Sequence, residues 1–299
     1  MGRAERASPR GASLRDLRVP GQSGGLKSRL ARNRGNGTLS PGDFTVDERT
    51  LPLLCDPDTR DALELQGDSL LNPKTGKRYA IREGVPVFVE NAAGQNKKYQ
   101  EFYDRIAWTY DPGLALFQLL RPKLNFRGHF QRELDVPTGA RVLEVSVGTG
   151  ANFEAMPADA ELFGLDLSWG MLRRCRKNLA KWKRTAELFH GEAERLPFRD
   201  AIFDVVFHVG GFNFFADRVK AIREMIRVAK PRTKIVIADE TEKVVKHSYE
   251  KMPIVRKYYK GREEVVVTPA EFVPPEMQGI QTKDIFGGRL YCLSFRTPQ

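Results

Sequence analysis

Five short runs of apolar residues recur along the middle of the chain, and each is typical of a strand buried on both faces. Stretches with helical spacing separate several of these runs, notably residues 168–183 and 216–229. Strands that alternate with helices predict an α/β fold built on a doubly wound, mostly parallel sheet. The five predicted strands are Arg141–Val147, Glu161–Leu167, Ala186–His190, Phe203–Val209 and Lys234–Asp239.

The two ends of this alternating region carry different patterns. Residues 95–134 are predicted to be helical, because Tyr99, Phe102, Tyr103 and Ile106 share one helical face. At the C-terminal end, residues 278–286 and 289–295 read as a sixth and a seventh strand. The intervening Gly287-Gly288 is a two-residue hairpin signal, so the seven-stranded sheet is expected to end in an antiparallel pair.

Residues 47–92 have a separate character, with short apolar clusters between turn residues. Asn72-Pro73-Lys74-Thr75-Gly76 predicts a hairpin turn, and residues 79–89 read as two short strands broken at Gly84. A segment this short buries little core, so we expect it to lean on its neighbour. The sequence therefore predicts a basic tail at 1–46, a small β-rich module at 47–92 and a larger domain at 95–299.

The net charge of +11 is concentrated at the N-terminus. The first 40 residues hold nine of the 49 Lys and Arg residues and only two acidic ones. Such a Gly-, Arg- and Ser-rich segment is expected to be disordered. It is either a solvated extension, a targeting peptide, or an arm for RNA or membranes.

Other features of the composition narrow the class of protein. No run of about 18 apolar residues occurs, so no transmembrane helix is expected. Three widely spaced cysteines, Cys55, Cys175 and Cys292, do not make a disulfide framework and fit a reducing compartment. With no secretory leader pattern, we expect a cytoplasmic protein.

A glycine-rich turn after the first strand of the larger domain is the strongest chemical signal. Glu144-Val145-Ser146-Val147-Gly148-Thr149-Gly150 would let the backbone approach a ligand closely, since glycine has no Cβ. Asp166 ends the second strand and could accept hydrogen bonds from ribose hydroxyls. It could equally be an acid at the start of the following helix, where Ser168 could serve as the cap.

A third signal, Gly191-Glu192-Ala193-Glu194-Arg195-Leu196-Pro197-Phe198, follows the third strand. No lysine of the P-loop type follows the glycine turn, and Phe153 stands where a dinucleotide site has its third glycine. These departures favour a nucleoside ligand without a pyrophosphate.

Together these motifs resemble those of the class I S-adenosylmethionine-dependent methyltransferases, in particular the ubiquinone and menaquinone biosynthesis branch. The resemblance extends over about residues 95–240 and includes a lid-helix match at Tyr103-Asp104-Arg105-Ile106-Ala107. It departs from the family at Ser146, where the first glycine of the turn usually stands. The resemblance implies that S-adenosylmethionine is the cofactor.

The resemblance also implies a role for each matched residue. Glu144 would face the methionine amino group, Gly148 and Gly150 would bring the backbone to the cofactor, and Asp166 would hold the ribose. The other implied cofactor neighbours are Tyr103, Leu167, Met171, Glu192, Ala193 and His208. Of these, Met171 could equally be ordinary helix core, and Glu192 a surface acid.

The loop after the fourth strand, residues 208–215, lies where this fold places its methyl acceptor. His208 is a candidate general base, and a structural histidine is an equal alternative. Asn213 could orient a polar acceptor or bond the loop backbone. Phe212, Phe214 and Phe215 could line an apolar pocket or pack under the next helix.

The preferred hypothesis is methyl transfer to a small, apolar or aromatic acceptor. The first alternative is an RNA or protein methyltransferase that docks its substrate through the basic tail and the module. The basic, tyrosine-bearing stretch at 241–275 could bind RNA or an anionic head group, or be a solvated face. The second alternative is a nucleoside-binding protein without catalysis. Nucleic acid is a less favoured partner, because the body of the chain is nearly charge-balanced.

The 47–92 module resembles a small zinc-ribbon-like domain. Leu54-Cys55-Asp56-Pro57 stands where that domain has Cys-Pro-x-Cys. A single cysteine cannot supply a tetrahedral zinc site, so no metal is expected.

Overall fold

The structure is a computed structural model in which residues 46–47, 49–120, 132–247 and 268–299 are described. The predicted disordered tail and most of the basic stretch at 241–275 lie outside the described residues. The fold below belongs to the unit that begins at Phe44.

The N-terminal module contains a four-stranded antiparallel sheet. Its strands follow one another in space as they do along the chain. The turn between the second and third strands lies at the predicted Asn72–Gly76 position, where the Gly76 N–H donates to the Asn72 carbonyl (2.9 Å). The strands are β1 (Glu64–Gln66), β2 (Ser69–Leu71), β3 (Arg78–Arg82) and β4 (Val85–Pro86).

The larger domain is a seven-stranded sheet with helices on its faces. The strands are β5 (Arg141–Val145), β6 (Glu161–Asp166), β7 (Glu187–His190), β8 (Phe203–Val209), β9 (Ala229–Glu240), β10 (Gln278–Ile285) and β11 (Leu290–Arg296). Their spatial order is β10-β11-β9-β8-β5-β6-β7. Strands β5 to β9 pair in parallel, and β11 pairs antiparallel with both β9 and β10. The predicted mostly parallel sheet with a terminal hairpin is therefore confirmed.

Within the described residues, the sheet is accompanied by the helices α1 (Gly94–Leu120), α2 (Trp169–Trp182), α3 (Arg218–Val228) and α4 (Glu242–His247). Two of them begin at side-chain caps. The Ser168 Oγ accepts a hydrogen bond from the Met171 N–H, and the Asp217 carboxylate accepts one from the Lys220 N–H. Among the described residues, no helix is apolar over a length sufficient to cross a bilayer.

Each face of the sheet carries its own apolar core, because successive strand residues point to opposite faces. On one face Leu172 and Cys175 of α2 pack against Val142 and Val205. On the other face Ile222 and Met225 of α3 pack against Val206 and Ile235. The carboxyl ends of β5, β6, β7 and β8 meet at one edge, and the residues singled out from the sequence lie there.

The module packs against the outer strand of the large sheet, β7, as expected for so short a segment. Val87 forms a parallel bridge with His190 at the end of β7, and Leu54 bridges Phe198. Leu54, Leu70 and Phe88 belong to the same buried cluster as Phe189 of β7. The module therefore shares its core with the larger domain.

Candidate active site

The glycine turn and Asp166 are directly linked. The Gly148 N–H donates to Asp166 Oδ2 at 2.7 Å, and the Ser168 N–H donates to Oδ1 at 2.8 Å. A carboxylate oxygen has two lone pairs, so each oxygen can accept a further hydrogen bond. The structure thus brings the predicted loop and the predicted acid together at the ends of β5 and β6.

Backbone conformation in the turn explains its glycines. Gly150 has φ of +73°, and a Cβ added there would lie 2.5 Å from the Cys175 Sγ of α2. Around Gly148, by contrast, a Cβ would meet no atom within 4 Å, so the backbone borders open space. Ser146, the departure from the family pattern, adopts φ of +61° and so follows the left-handed path that glycine prefers.

Glu144 lies beneath the turn and is almost fully buried. Its Oε1 accepts a hydrogen bond from the Asn152 amide. The open space at Gly148, between the glycine turn and Asp166, forms a cleft. Buried Glu144 and Asp166 make its floor acidic, and they help burial to raise the pKa of the Cys175 thiol. An acidic floor suits a ligand that carries an ammonium group and sugar hydroxyls.

The pKa of Asp166 itself is raised to about 6, chiefly by burial. The nearby Asp104 carboxylate adds to the rise, while hydrogen bonds from the Ser168 and Gly148 N–H groups oppose it. The carboxylate is therefore ionised at neutral pH, but by a narrow margin.

The segment after β7 forms the side wall of the cleft. Ala193 is buried and Glu192 half-buried. Glu192 Oε2 accepts from the Arg195 guanidinium at 2.7 Å, and Oε1 accepts from the Asn96 amide at 3.2 Å. Met171 is buried and Leu167 half-buried, both near the start of α2.

Helix α1 lies across this edge of the sheet. The Asp104 carboxylate accepts from the Ser168 hydroxyl at 2.6 Å and from the Gly170 N–H at 2.7 Å. The Gln100 amide donates to the Leu167 carbonyl at 3.0 Å. These bonds place the N-terminal half of α1, the predicted lid helix that includes Tyr103, against the start of α2.

The other end of the cleft is bounded by the loop after β8. Tyr99 of α1 stacks on Phe214 with ring centroids 4.1 Å apart, and the Gln95 amide donates to the Phe214 carbonyl at 3.1 Å. Phe212 is fully buried and contacts Phe215, so these two loop phenylalanines have a packing role.

His208 is fully buried at the end of β8. Its Nδ1 lies 2.8 Å from the Val145 carbonyl, so this nitrogen carries the proton, and the ring packs against Phe212 and Phe215. Burial lowers the pKa of His208, which keeps the ring neutral at pH 7. This geometry favours the structural alternative over the general-base role.

Sequence reasoning missed three carboxylates that shape the site. Asp239 Oδ1 accepts from the Gly211 N–H and Oδ2 from the Phe212 N–H, and the Asn213 amide lies 3.5 Å from Oδ2. Glu194 Oε1 accepts from the Ala216 and Asp217 N–H groups, and Asp104 is the lid contact described above. Their position at strand ends or on the helix was visible in the sequence, but their partners are 22 to 66 residues away.

Comparison with known proteins agrees with this geometry. A methyltransferase domain family model matches residues 143–237, which run from β5 into β9. The demethylmenaquinone methyltransferase of Shouchella clausii (strain KSM-K16) is 32% identical over 159 residues, covering 52% of this chain and 67% of that protein. The chain belongs to the class I S-adenosylmethionine-dependent methyltransferases. The protein is therefore a methyltransferase enzyme, and S-adenosylmethionine is its cofactor.

Further similarities extend the comparison without changing it. The demethylmenaquinone methyltransferase of Staphylococcus haemolyticus (strain JCSC1435) is 33% identical over 139 residues, covering 45% of this chain and 55% of that protein. The matched stretches thus span about half to two thirds of these methyltransferases.

Solved structures share the fold at low sequence identity. A chain from the complex between the Haloferax volcanii Trm112 methyltransferase activator and a methyltransferase is 18% identical, with a TM-score of 0.51, covering 66% of this chain and 98% of that one. A Pyrococcus horikoshii OT3 protein is also 18% identical, with a TM-score of 0.51, covering 61% of this chain and 92% of that one.

Proposed function

We propose that this methyltransferase acts on a small, planar aromatic acceptor of the demethylmenaquinone type. The observation that carries the proposal is the 32% identity to a demethylmenaquinone methyltransferase over 159 residues. The aromatic surface made by Tyr99 and Phe214 at the acceptor end supports it, since aromatic rings favour stacked or edge contacts with one another.

The cofactor is assigned to the cleft over β5 and β6. Asp166 holds the ribose hydroxyls, and Gly148 and Gly150 bring the backbone against the ligand. Glu144 faces the methionine amino group, where its buried negative charge offsets the ammonium. The open space at Gly148 and the acidic floor fit this assignment.

The adenine end of the cofactor is assigned to the wall between α2 and the segment after β7. Leu167 and Met171 lie on one side, and Glu192 and Ala193 on the other. Tyr103 belongs to the lid helix above them. Apolar walls with a few polar groups are the usual construction of a nucleoside site.

When bound, S-adenosylmethionine supplies a methyl group on a positively charged sulfur. The protein therefore has to align the acceptor with that methyl group and exclude water. Helix α1 suits both tasks, because it contacts the cofactor wall through Asn96 and the acceptor loop through Gln95.

Of the two candidate catalytic residues at the acceptor end, His208 and Asn213, we retain Asn213. Asn213 is half-buried and close to the Asp239 carboxylate, so it is placed to orient a polar group of the acceptor. His208 has a positioning role, because its ring contacts Phe212 and Phe215 and so fixes the loop after β8.

The test is a methyl-transfer assay on the full chain with isotope-labelled S-adenosylmethionine. The acceptors are a chemically reduced, short-chain demethylmenaquinone and, separately, total RNA. We expect the reduced quinone to gain one methyl group by mass spectrometry, and the Asp166→Ala variant to lose at least tenfold in rate. Methylation of the RNA with no change in the quinone would overturn the proposal in favour of a nucleic-acid acceptor.

A further inference from the structure

The adenosine-side segment, residues 190–199, lies against the N-terminal module along its outer side. Three backbone hydrogen bonds and two isolated β-bridges, Val87–His190 and Leu54–Phe198, join the two. The Phe88 N–H donates to the His190 carbonyl (2.8 Å), and the Cys55 N–H donates to the Pro197 carbonyl (3.0 Å). In the other direction, the Arg199 N–H donates to the Leu53 carbonyl (2.9 Å).

One turn of the module, residues 56–61, also reaches this segment with charged side chains. Asp58 pairs with Arg195 at 2.9 Å, and Arg195 in turn pairs with Glu192 at 2.7 Å. Glu192 is the carboxylate assigned to the cofactor wall. A chain of two ion pairs therefore connects the module to that wall.

Arg60 makes the second connection from the same turn. Its guanidinium donates to the Leu196 carbonyl at 3.0 Å and to Glu224 of α3 at 2.6 Å. Glu224 is 6% exposed, and its second oxygen accepts from the Leu196 N–H at 2.9 Å. Both backbone polar groups of Leu196 thus contact the Arg60–Glu224 ion pair, which joins the module to α3, and Arg227 of α3 also donates to the Leu196 carbonyl at 3.1 Å.

The turn is built to present these two side chains. The buried Asp56 carboxylate accepts from the Asp58 N–H at 2.8 Å and from the Thr59 N–H at 3.2 Å. Arg60 adopts φ of +66°, a left-handed conformation that is unfavourable for a non-glycine residue. The turn keeps this shape because hydrogen bonds on both sides fix it.

We propose that the module is a positioning element for the cofactor site, with Asp58 and Arg60 as its positioning residues. They hold Arg195 and Leu196, and through them Glu192, in the arrangement that receives the adenosine part of S-adenosylmethionine. The proposal rests on the placement of Glu192 beside the cofactor given above. It assigns the module a role in cofactor affinity in addition to its share of the core.

The first test measures the Kd for S-adenosylmethionine by calorimetry in the full chain and in Asp58→Asn. This side chain is partly exposed, so the protein is expected to fold and to lose little stability. We expect the Kd to rise two- to fivefold. The matched control is Asp61→Asn, because Asp61 pairs with Lys74 inside the module and should leave the Kd unchanged.

A double-mutant cycle then asks whether the effect passes through Arg195. Arg195→Gln should weaken binding by itself, and Asp58→Asn should add nothing in that background. Arg60→Gln should raise the Kd further than Asp58→Asn does. A purely structural role of Asp58 would lower the Tm and leave the Kd of the folded protein as it was.

The outcomes separate the two proposals. If the unmodified chain binds S-adenosylmethionine and both Asp58→Asn and Arg60→Gln bind it equally well, the positioning role is wrong while the cofactor placement stands. If Asp58→Asn and Arg195→Gln combine additively, the chain through Arg195 is wrong. If Glu192→Gln binds the cofactor as tightly as the unmodified chain, the placement of Glu192 fails, and the inference with it.

Discussion

At the scale of single residues, we expect the charge of Asp166 to decide cofactor affinity. Burial raises its pKa to about 6, with the Asp104 carboxylate adding to the rise. An ionised carboxylate accepts hydrogen bonds from both ribose hydroxyls, and a protonated one loses part of that capacity. The affinity for S-adenosylmethionine should therefore be full above pH 6 and fall as the pH drops below it.

The Kd for S-adenosylmethionine should rise by up to about tenfold for each pH unit below 6. Calorimetry between pH 5 and pH 7.5 measures it. Asp166 should have the opposite effect on the stability of the folded protein, because its folded-state pKa lies above the unfolded value near 3.9. The free energy of unfolding should therefore be unaffected by this group below about pH 4 and decrease as the pH rises from there through 6.

Two variants isolate the effect of Asp166. Asp166→Asn should bind weakly and without this pH dependence. Glu187→Gln should keep the dependence, although burial raises the pKa of Glu187 to about 7 as well. Glu187 begins β7, at the opposite end of that strand from the cleft. An equal Kd at pH 5 and pH 7.5 in the unmodified chain would show that Asp166 does not hold the ribose.

At the scale of elements, two turns of the module are joined by a buried pair of side chains. The Asn72 amide donates to Asp56 Oδ2 at 2.8 Å and to the Thr59 hydroxyl at 3.1 Å, and Asn72 Oδ1 accepts from the Lys74 N–H. Asp56 and Asn72 are both fully buried. Although burial disfavours its charged form, hydrogen bonds from Asn72 and from backbone N–H groups keep the pKa of Asp56 below its usual value.

Asn72→Ala should therefore destabilise the protein by about 1–3 kcal/mol, because it leaves a buried carboxylate oxygen without its donor. Denaturant unfolding measures this loss. Thr75→Ala, an exposed position in the same turn, is the control and should cost under about 0.5 kcal/mol. A chelator should change neither value, and a loss of stability on adding one would show that a metal joins these turns.

The elements were predictable from the sequence to different degrees. The parallel strands were found because runs such as Phe203–Val209 are mostly apolar, and the observed bounds of β5 to β8 differ from the predicted ones by at most two residues. The largest difference is β9, which begins at Ala229 and not at Lys234. It contains Pro231, which discourages a strand assignment but is compatible with the irregular register near Phe203.

At the scale of the whole molecule, the sequence predicted which residues of the large domain lie together at the site. It did not predict the contacts from the module that support them. Gly148 and Asp166 were found because strand order and local motifs bring them to one edge of the sheet. The Asp58–Arg195–Glu192 chain was not found, because it depends on how the module packs beside β7. No local pattern encodes a contact between a turn and a segment 137 residues away.

The position of α1 leads to a prediction about the whole molecule. Its first turns contact the cofactor wall through Asn96 and the acceptor loop through Gln95 and Tyr99. A variant that removes only the loop contact should therefore affect the acceptor more than the cofactor. Tyr99→Ala removes the stack on Phe214 while the bonds from Asp104 to the start of α2 remain.

We expect Tyr99→Ala to raise the KM for the reduced demethylmenaquinone five- to tenfold and to change the Kd for S-adenosylmethionine less than twofold. The loss of one aromatic contact, worth about 1 kcal/mol beyond burial, sets the scale. Lys97→Ala, an exposed position on the same helix, is the control for helix stability. Equal losses for both ligands would mean that α1 moves as one rigid lid, and an unchanged KM would remove Tyr99 from the acceptor site.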